Sequence, residues 1–499
     1  MPRAKTHSAE RSITAGSDFL QLDVDTAPPG GRAGWLADRL RAAIADGRIP
    51  LGGRLPASRV LADELGVSRG VVTEAYQRLA EEGQVVGRGR AGTVVVATPA
   101  VTPPAPATPV PPPPEAVFVS DPGTEIFEAL RAAPARIDLS PGVPDLAAFP
   151  RAAWLRAERA VLRHLDAAAL GYGDPRGAPA LRVAVSRWLA RTRGIRADPD
   201  EVLVVSGVSQ ALGLLAQVLR DDGVHTVAVE DPGSLGVRQH LRNWRLDTPP
   251  VTVDEHGLRV DELAAAGHPA VMLTPAHQFP TGVVLHGDRR RQVADWARDG
   301  GLVLEDDYDA EHRYDRPPVP ALHASLPGRV CYTGSVSKLL APALRVGWVL
   351  APTRYRDALV AAKRMADLGN AVLPQLVLAE LMTSGDLDRH LRLLRRRHVR
   401  RRDAMIRAIG RHLPGATVHG AAAGLHLTVT LAGVRCDVAL ATEALRRGVK
   451  TQPLSWHAQR PYPAGLVLGY AAATVGEIEK GIAAVGAARR SASVTGAHR

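Results

Sequence analysis

Lys338, in the segment GSVSK, has the richest chemistry available to it of any residue in the chain. A lysine directly after a β-like run, among small hydroxyl residues, can form a Schiff base with an aldehyde. Ser335 and Ser337 beside it can donate hydrogen bonds to a phosphate. Seven residues on, Arg345 brings a planar fork suited to clamping the same anion. In EDDYDAEHRY, Asp306 stands at a strand end where it can pair with a protonated pyridine nitrogen, and Tyr308 can donate to the ring's phenolic oxygen. Ser206-Gly207, in VVSGVSQALGLL, marks a strand-to-helix junction, which is an anion site. Tyr172, in GYGDPRG, supplies another phosphate contact. The acidic run 305–311 by itself reads equally as a solvated loop or a metal site. Only His312 accompanies it at ligand-type spacing, so no metal is expected.

A second group of residues, far upstream, suits a different chemistry. WLADRLRAAIADGRI places Leu36, Leu40, Ala43 and Ile44 on one helical stripe, which Pro50 and Gly52-Gly53 terminate. Ser58 is expected to cap a second helix ending at Gly66, and Ser68 a third ending at Gly83. VVGRGRAGTVVV then reads as two strands around a Gly/Arg turn. This is the spacing of a winged helix-turn-helix, with the third helix as the recognition helix. Arg54, Ser58, Arg59, Ser68, Arg69 and Thr73 fall near helix starts or on the outer recognition face, and Arg88 and Arg90 tip the wing. Hydroxyls and helix N-termini hold phosphates there, while guanidinium groups reach base edges.

The elements that must position these groups follow from length and pattern. A chain of 499 residues is too long for one core. Residues 1–30 read as a loose lead-in and 31–97 as the winged helix-turn-helix, mainly α. The run Pro99–Pro114 marks a linker over 98–124, extended and close to polyproline II, with a reach on the order of 50 Å. From 125 to 490, VLVVSG, TVAVE, AVMLTP, GLVLEDD, RVCYTGS and VGWVLAP alternate with amphipathic segments, as a mostly parallel α/β sheet requires. From about 385 to 490 an Arg-rich helix and the strand-like LHLTVTL and GLVLGYA suggest a small α+β subdomain.

The formal charge of +11 favours a polyanionic partner. Segment 31–96 nevertheless holds ten Arg against seven Asp or Glu, only +3, so arginine placement rather than bulk charge carries the case for DNA. Cys331 and Cys436 lack ligand spacing and read as small buried hydrophobes. No apolar run is long enough for a membrane span and no h-region opens the chain, so a cytoplasmic protein is expected.

The upstream segment GGRLPASRVLADELGVSRGVVTEAYQRLAEEG resembles the DNA-binding domain of the GntR family. Downstream, the order GYGDPRG, SGVSQAL, EDPG, TPAHQFPTG, EDDYD, SVSK is similar to fold-type I, pyridoxal-phosphate-dependent aminotransferases. Together they resemble the MocR subgroup of GntR regulators over about residues 31–485. The resemblance implies pyridoxal 5'-phosphate on Lys338, its ring nitrogen on Asp306 and its O3′ on Tyr308. Ser206, Gly207, Ser335 and Arg345 then surround the phosphate, with Tyr172 reaching in from the partner subunit. It also implies a head-to-tail homodimer on an operator in double-stranded DNA, answering to a small effector: the cofactor itself, an amine or an amino acid. Regulation of vitamin B6 supply is a property the family often has, so control of vitamin B6 or of amino-acid or amine metabolism is expected.

Three departures from the family pattern stand out. Ser234 replaces an aromatic after EDPG, Val208-Ser209 alter the SGSQQAL pattern, and Phe279 stands at the asparagine of many aminotransferases. GLVLGYA also lacks the late-strand arginine that holds a substrate carboxylate in many aminotransferases. These changes favour holding a cofactor over turning over a substrate. Two readings remain beside it: an aminotransferase with an appended reader, and a reader whose second half only dimerises. RHLRLLRRRHVRRRD (389–403), with eight arginines, reads as a solvated or interface helix or as a second phosphate-contacting surface centred on Arg395–Arg397.

Overall fold

A computed structural model describes residues 22–89, 92–97, 113–315 and 318–495. The chain divides into two compact units, Met1–Val110 and Pro111–Arg499. In the first, helices α1 (Arg32–Ala45), α2 (Ser58–Leu65) and α3 (Arg69–Glu81) precede strands β1 (Val85–Gly87) and β2 (Thr93–Val95). The strands pair antiparallel with Val85 opposite Val95. The expected stripe of α1 is buried, and Leu36, Leu40 and Ile44 pack with Leu61, Val72 and Leu79 in one core. Gly66 ends α2 at φ 61°, a left-handed cap that glycine adopts at little cost.

The caps differ from expectation. Ala57, in extended conformation, holds the N-cap of α2, and Ser58 is already helical. Its hydroxyl instead accepts from Arg69 Nε at 3.3 Å. Ser68 does hold the N-cap of α3 but makes no capping hydrogen bond.

In the second unit the chain runs through α4 (Pro114–Val117), α5 (Ile126–Ala132), β3 (Ile137–Asp138), α6 (Arg151–His164) and α7 (Pro179–Arg193). The main sheet is then laid down by β4 (Leu203–Val205), α8 (Val208–Asp221), β5 (Ala228–Asp231), α9 (Leu235–Asn243), β6 (Pro250–Asp254) and β7 (Gly257–Leu258). It continues through α10 (Val260–Ala265), β8 (Ala270–Leu273), α11 (Gly287–Arg298), β9 (Leu302–Asp307), β10 (Val330–Ser335) and β11 (Gly347–Leu350). All six apolar runs of the sequence contain strands of this sheet. Its order is β4-β11-β10-β9-β8-β5-β6-β7, parallel except at β11 and β7. Alternate residues serve opposite faces: Val204 and Tyr332 pack toward Leu189 and Val377, while Val205 and Cys331 pack toward Leu215 and Leu359.

Helices α12 (Thr353–Asp367), α13 (Val372–Thr383) and α14 (Asp386–His412) lead into the smaller part. There β12 (Ala416–His419), β13 (His426–Leu431), α15 (Asp437–Arg446), β14 (Val449–Lys450), β15 (Gln452–Pro453), β16 (Gly465–Gly469) and α16 (Val475–Thr495) follow. The antiparallel sheet β12-β13-β16-β15 buries Leu427, Val429 and Leu466 against Met405, Leu440 and Ile482.

This subdomain is not built from residues after 385 alone. Val117, Phe118, Ile126 and Leu130 lie in the same core, and β3 pairs parallel with β14. The stretch expected as a linker to 124 therefore ends earlier. Val117-Phe118 is an apolar pair that gains by burial, and Phe118 stacks on Trp456 with centroids 5.5 Å apart. Cys331 is buried as expected, whereas Cys436 is exposed at the N-cap of α15, its sulfur accepting from the Ala439 amide. Among the described residues no helix is long and apolar enough to cross a membrane.

Candidate functional site

The C-terminal ends of β9 and β10 deliver the chemistry. Asp306 and Tyr308 leave β9, and Ser335 ends β10 with Lys338 three residues on. Together with Arg345, Ser337, Val208 and Ser209 they line one cavity of about 490 Å³. Crevices beyond the carboxyl ends of strands are where open α/β sheets bind ligands.

Each group in the cavity has a distinct environment. The Lys338 amine donates to the Gly142 carbonyl. Burial lowers its pKa, while Asp309 and Asp306 act in the opposite direction. This favours the neutral, nucleophilic amine. Gly142, at φ 79°, allows the close approach, since a Cβ there would lie 3.3 Å from Nζ. Asp306 is pushed up to about 7 by burial first and by Asp307 second. Among the described residues its carboxyl has one hydrogen bond, from the Thr333 hydroxyl, long at 3.4 Å. A buried carboxylate so poorly satisfied fits a cationic N–H facing it. The Tyr308 hydroxyl donates to the His277 carbonyl at 3.1 Å, and burial holds it neutral.

The anion end lies at the start of α8. Gly207 caps that helix at φ 83°, and a Cβ there would meet the Arg345 guanidinium at 3.4 Å. Arg345 donates to the Ser206 carbonyl. Helix amides, two serine hydroxyls and a guanidinium in one recess make a donor set for a phosphate. The residues present therefore fit pyridoxal phosphate, which when bound would offer Lys338 a carbonyl carbon and an electron-withdrawing ring.

Within one subunit Tyr172 is not brought to this cavity, as its expected approach from a partner requires. It is 95% exposed and lines a separate cleft of about 540 Å³ with Leu170, Leu368 and Asn370.

Several residues that shape the site went unread in the sequence. Asn370 donates to Ser206 Oγ at 3.0 Å and to the Arg345 carbonyl at 3.2 Å, tying the anion recess together. Gln210 accepts the Ser206 amide at 2.7 Å, and its place in SGVSQAL was a visible signal. His277 Nδ1 donates to Asp309 at 2.9 Å and lies 3.0 Å from the Tyr308 hydroxyl. His277, Asp309 and His426 have ligand-type atoms within 4.8 Å of one another, a compact cluster that only folding assembles. Three of its groups already have protein partners, for His426 Nε2 donates to the Pro280 carbonyl at 3.1 Å. We read it as the support of Tyr308. Burial depresses His426 and His457 to about 3, so this wall of the cavity is neutral.

Ser234 lines the cavity and caps α9, accepting from the Val237 amide at 3.3 Å. Phe127, Phe279 and Tyr308 are the Phe and Tyr residues of the lining, and the Phe279 ring is edge-on to His457 at 4.9 Å. In β16, Val467 sits opposite Thr428 and Gln452, and the strand carries no arginine. Arg131 of α5 is the remaining arginine of the lining.

In the first unit, Arg54, Arg59, Ser68, Arg69, Thr73 and Arg88 are exposed and Ser58 is half-buried. Thr73 Oγ1 donates back to the Arg69 carbonyl at 2.9 Å, placing both residues on one side of α3. Arg90 lies outside the described residues.

Residues 33–95 match the family described as bacterial regulatory proteins, gntR family, and residues 135–479 match aminotransferase class I and II. The chain is a MocR-type member of the GntR regulators. It is 31% identical over 474 residues to the probable rhizopine catabolism regulatory protein MocR of Rhizobium meliloti, covering 93% of this chain and 94% of that one. The pyridoxine biosynthesis transcriptional regulator PdxR of Corynebacterium glutamicum is also 31% identical, over 84% of this chain and 87% of its own. Among solved structures, kynurenine aminotransferase of Pyrococcus horikoshii, in a complex with PMP, superposes with a TM-score of 0.67. Its identity is 27%, over 74% of this chain and 93% of that one. LysN of Thermus thermophilus, complexed with N-(5'-phosphopyridoxyl)-L-leucine, gives a TM-score of 0.68 at 26% identity, over 77% and 97%. The second unit of this MocR-type regulator thus has the fold of pyridoxal-phosphate-dependent aminotransferases.

Proposed function

We propose that the chain is a DNA-binding transcriptional regulator that holds pyridoxal phosphate on Lys338 and responds to it, or to its adduct with an amine. The observation that carries the reading is the convergence of Lys338, Asp306, Tyr308, Ser335 and Arg345 on one cavity, in a chain that also carries a GntR reader. Arg54, Arg59, Arg69 and Thr73 are assigned to the DNA, with Ser58, Ser68, Arg88 and Arg90 contributing phosphate contacts. The absence of an arginine from β16 supports sensing over turnover, because a substrate carboxylate then lacks its usual anchor.

A homodimer belongs to the same reading. Tyr172, Leu170 and Leu368 are more than half exposed around one cleft, and Leu155, Leu162 and Met365 are exposed as well. So much apolar surface suits a second copy of the chain. Ligand control then requires different affinity of the ligand for two states of that dimer.

The test is a gel shift on the DNA upstream of the chain's own gene, with and without pyridoxal phosphate, for the wild type and Lys338→Ala. Binding whose strength depends on the cofactor is expected, with the dependence lost and basal binding kept in the variant. No shift in any lane would sink the regulator reading. An identical cofactor response in Lys338→Ala would sink the assigned role of the lysine.

A further inference from the structure

The Arg-rich helix α14 divides its arginines into two sets. One set is spent inside the protein. Arg397 and Arg401 both bind Asp145, at 2.6 and 2.7 Å, and Arg401 also donates to the Ala471 carbonyl. Arg395 donates to the Tyr314 carbonyl at 3.0 Å, and Arg402 lies over the Tyr314 ring. With Leu394, His398, Met405 and Ile409 buried on the same side, the helix is fixed to its subdomain.

The other set faces solvent. Arg392, Arg396, Arg400 and Arg407 are exposed and make no hydrogen bond or ion pair with any described residue. The acids of the same helix are engaged elsewhere: Asp386 with Arg389, Asp388 with Arg191 and Asp403 with Arg402. At about 100° per residue the four arginines fall within an arc of about 80°. Arg407 lies fifteen residues beyond Arg392, so the row is about 22 Å long, with about 6 Å between successive members of the first three.

We infer that this row is a second DNA-contacting surface, one that takes the phosphates of a single strand of duplex flanking the sites read by the first unit. The inference rests on the reading of the chain as a DNA binder. A row of about 22 Å matches roughly two thirds of a helical turn of 34–36 Å. Unneutralised guanidinium groups fit phosphate oxygens in pairs. Among the described residues of α14 the only exposed large apolar one is Leu393, so the helix offers neither the aromatic platform a single strand would need nor the apolar face a membrane would need. Binding there is independent of base sequence and is felt as salt dependence.

The experiment compares the full-length chain with its Arg392→Gln/Arg396→Gln/Arg400→Gln variant, and with Lys at the same positions, on a duplex several turns long. For Gln, the slope of log affinity against log salt is expected to fall by about 2–3, and for Lys to be kept, because each phosphate contact contributes about 0.9. Arg396→Gln alone is expected to lower the slope by about 1 and guards against a misfolded triple variant. An unchanged slope in both Gln variants overturns the inference, as does a Gln variant whose assembly mass in sedimentation differs from the wild type, which would make the row a contact between copies. If the wild type itself fails to bind duplex, the regulator reading fails instead, so the two failures are distinguishable.

Discussion

The exposed arginines around α2 and α3 and the cavity at the ends of β9 and β10 solve recognition in opposite ways. Arg54, Arg59 and Arg69 stand in solvent, offering donors to a partner that arrives from outside. Asp306, Lys338 and Tyr308 are turned inward, where burial shifts all three toward their neutral forms. A reader face can be assembled by about thirty consecutive residues, because helix geometry alone aligns its side chains. The cavity needs β4, β9, β10, β11 and the turn holding Gly142 at once. Loss of one group should therefore cost more in the cavity than on the reader face, and the contrast can be broken by measurement.

The largest effect is expected from Arg345→Gln. A charge-assisted hydrogen bond in a recess contributes roughly 1.5–3 kcal/mol, so affinity for pyridoxal phosphate should fall by about 10–100-fold. Titration followed by the cofactor's absorbance checks this, and a change under about 3-fold would remove Arg345 from the anion recess. On the reader face, Arg69→Ala should weaken operator binding by about 10-fold if it reads a base edge, and its effect should differ between operator variants. A loss uniform across sequences would make Arg69 a phosphate contact.

Asp306 sharpens the comparison through pH. Its folded pKa of about 7 lies above the ordinary carboxylate value of 3.8. The carboxyl thus stabilises the cofactor-free protein fully only below about pH 4, and that contribution is lost as pH rises through about 7. Asp306→Asn should accordingly raise the melting temperature of cofactor-free protein by ~2 °C or more at about pH 8, and much less at about pH 5. Equal gains at both pH values would mean that burial does not govern Asp306. Ser234→Tyr is expected to have the smallest effect. An added ring over the cofactor is worth about 0.5–1.5 kcal/mol, or roughly 2–10-fold in retention. The lost cap of α9 would cost about 1 kcal/mol of stability, seen in melting. Unchanged retention would show that Phe279 already supplies the cover.

Whatever depends on near neighbours was legible in the order of the residues. The stripe of α1, the stops at Gly66 and Gly83 and the apolar runs that became six sheet strands are set by φ preferences and by periods of 3.6 and 2. The approach of Asp306, Tyr308 and Lys338 was legible because each sits at or shortly after the end of β9 or β10, and parallel strands end together, whereas Arg345 enters from just before the antiparallel β11. Tertiary structure alone decided which distant groups share a cavity or a charge. Asn370 reaches Ser206, His277 reaches Asp309 and Tyr308, and Val117-Phe118 crosses to the core of α15 and α16. It also decided which arginines of α14 are free, since a helical period marks a face but not the acid that a distant turn, here Asp145, brings against it. The difference is one of range: backbone preferences act over a few residues, whereas burial and ion pairing depend on what the rest of the chain places nearby.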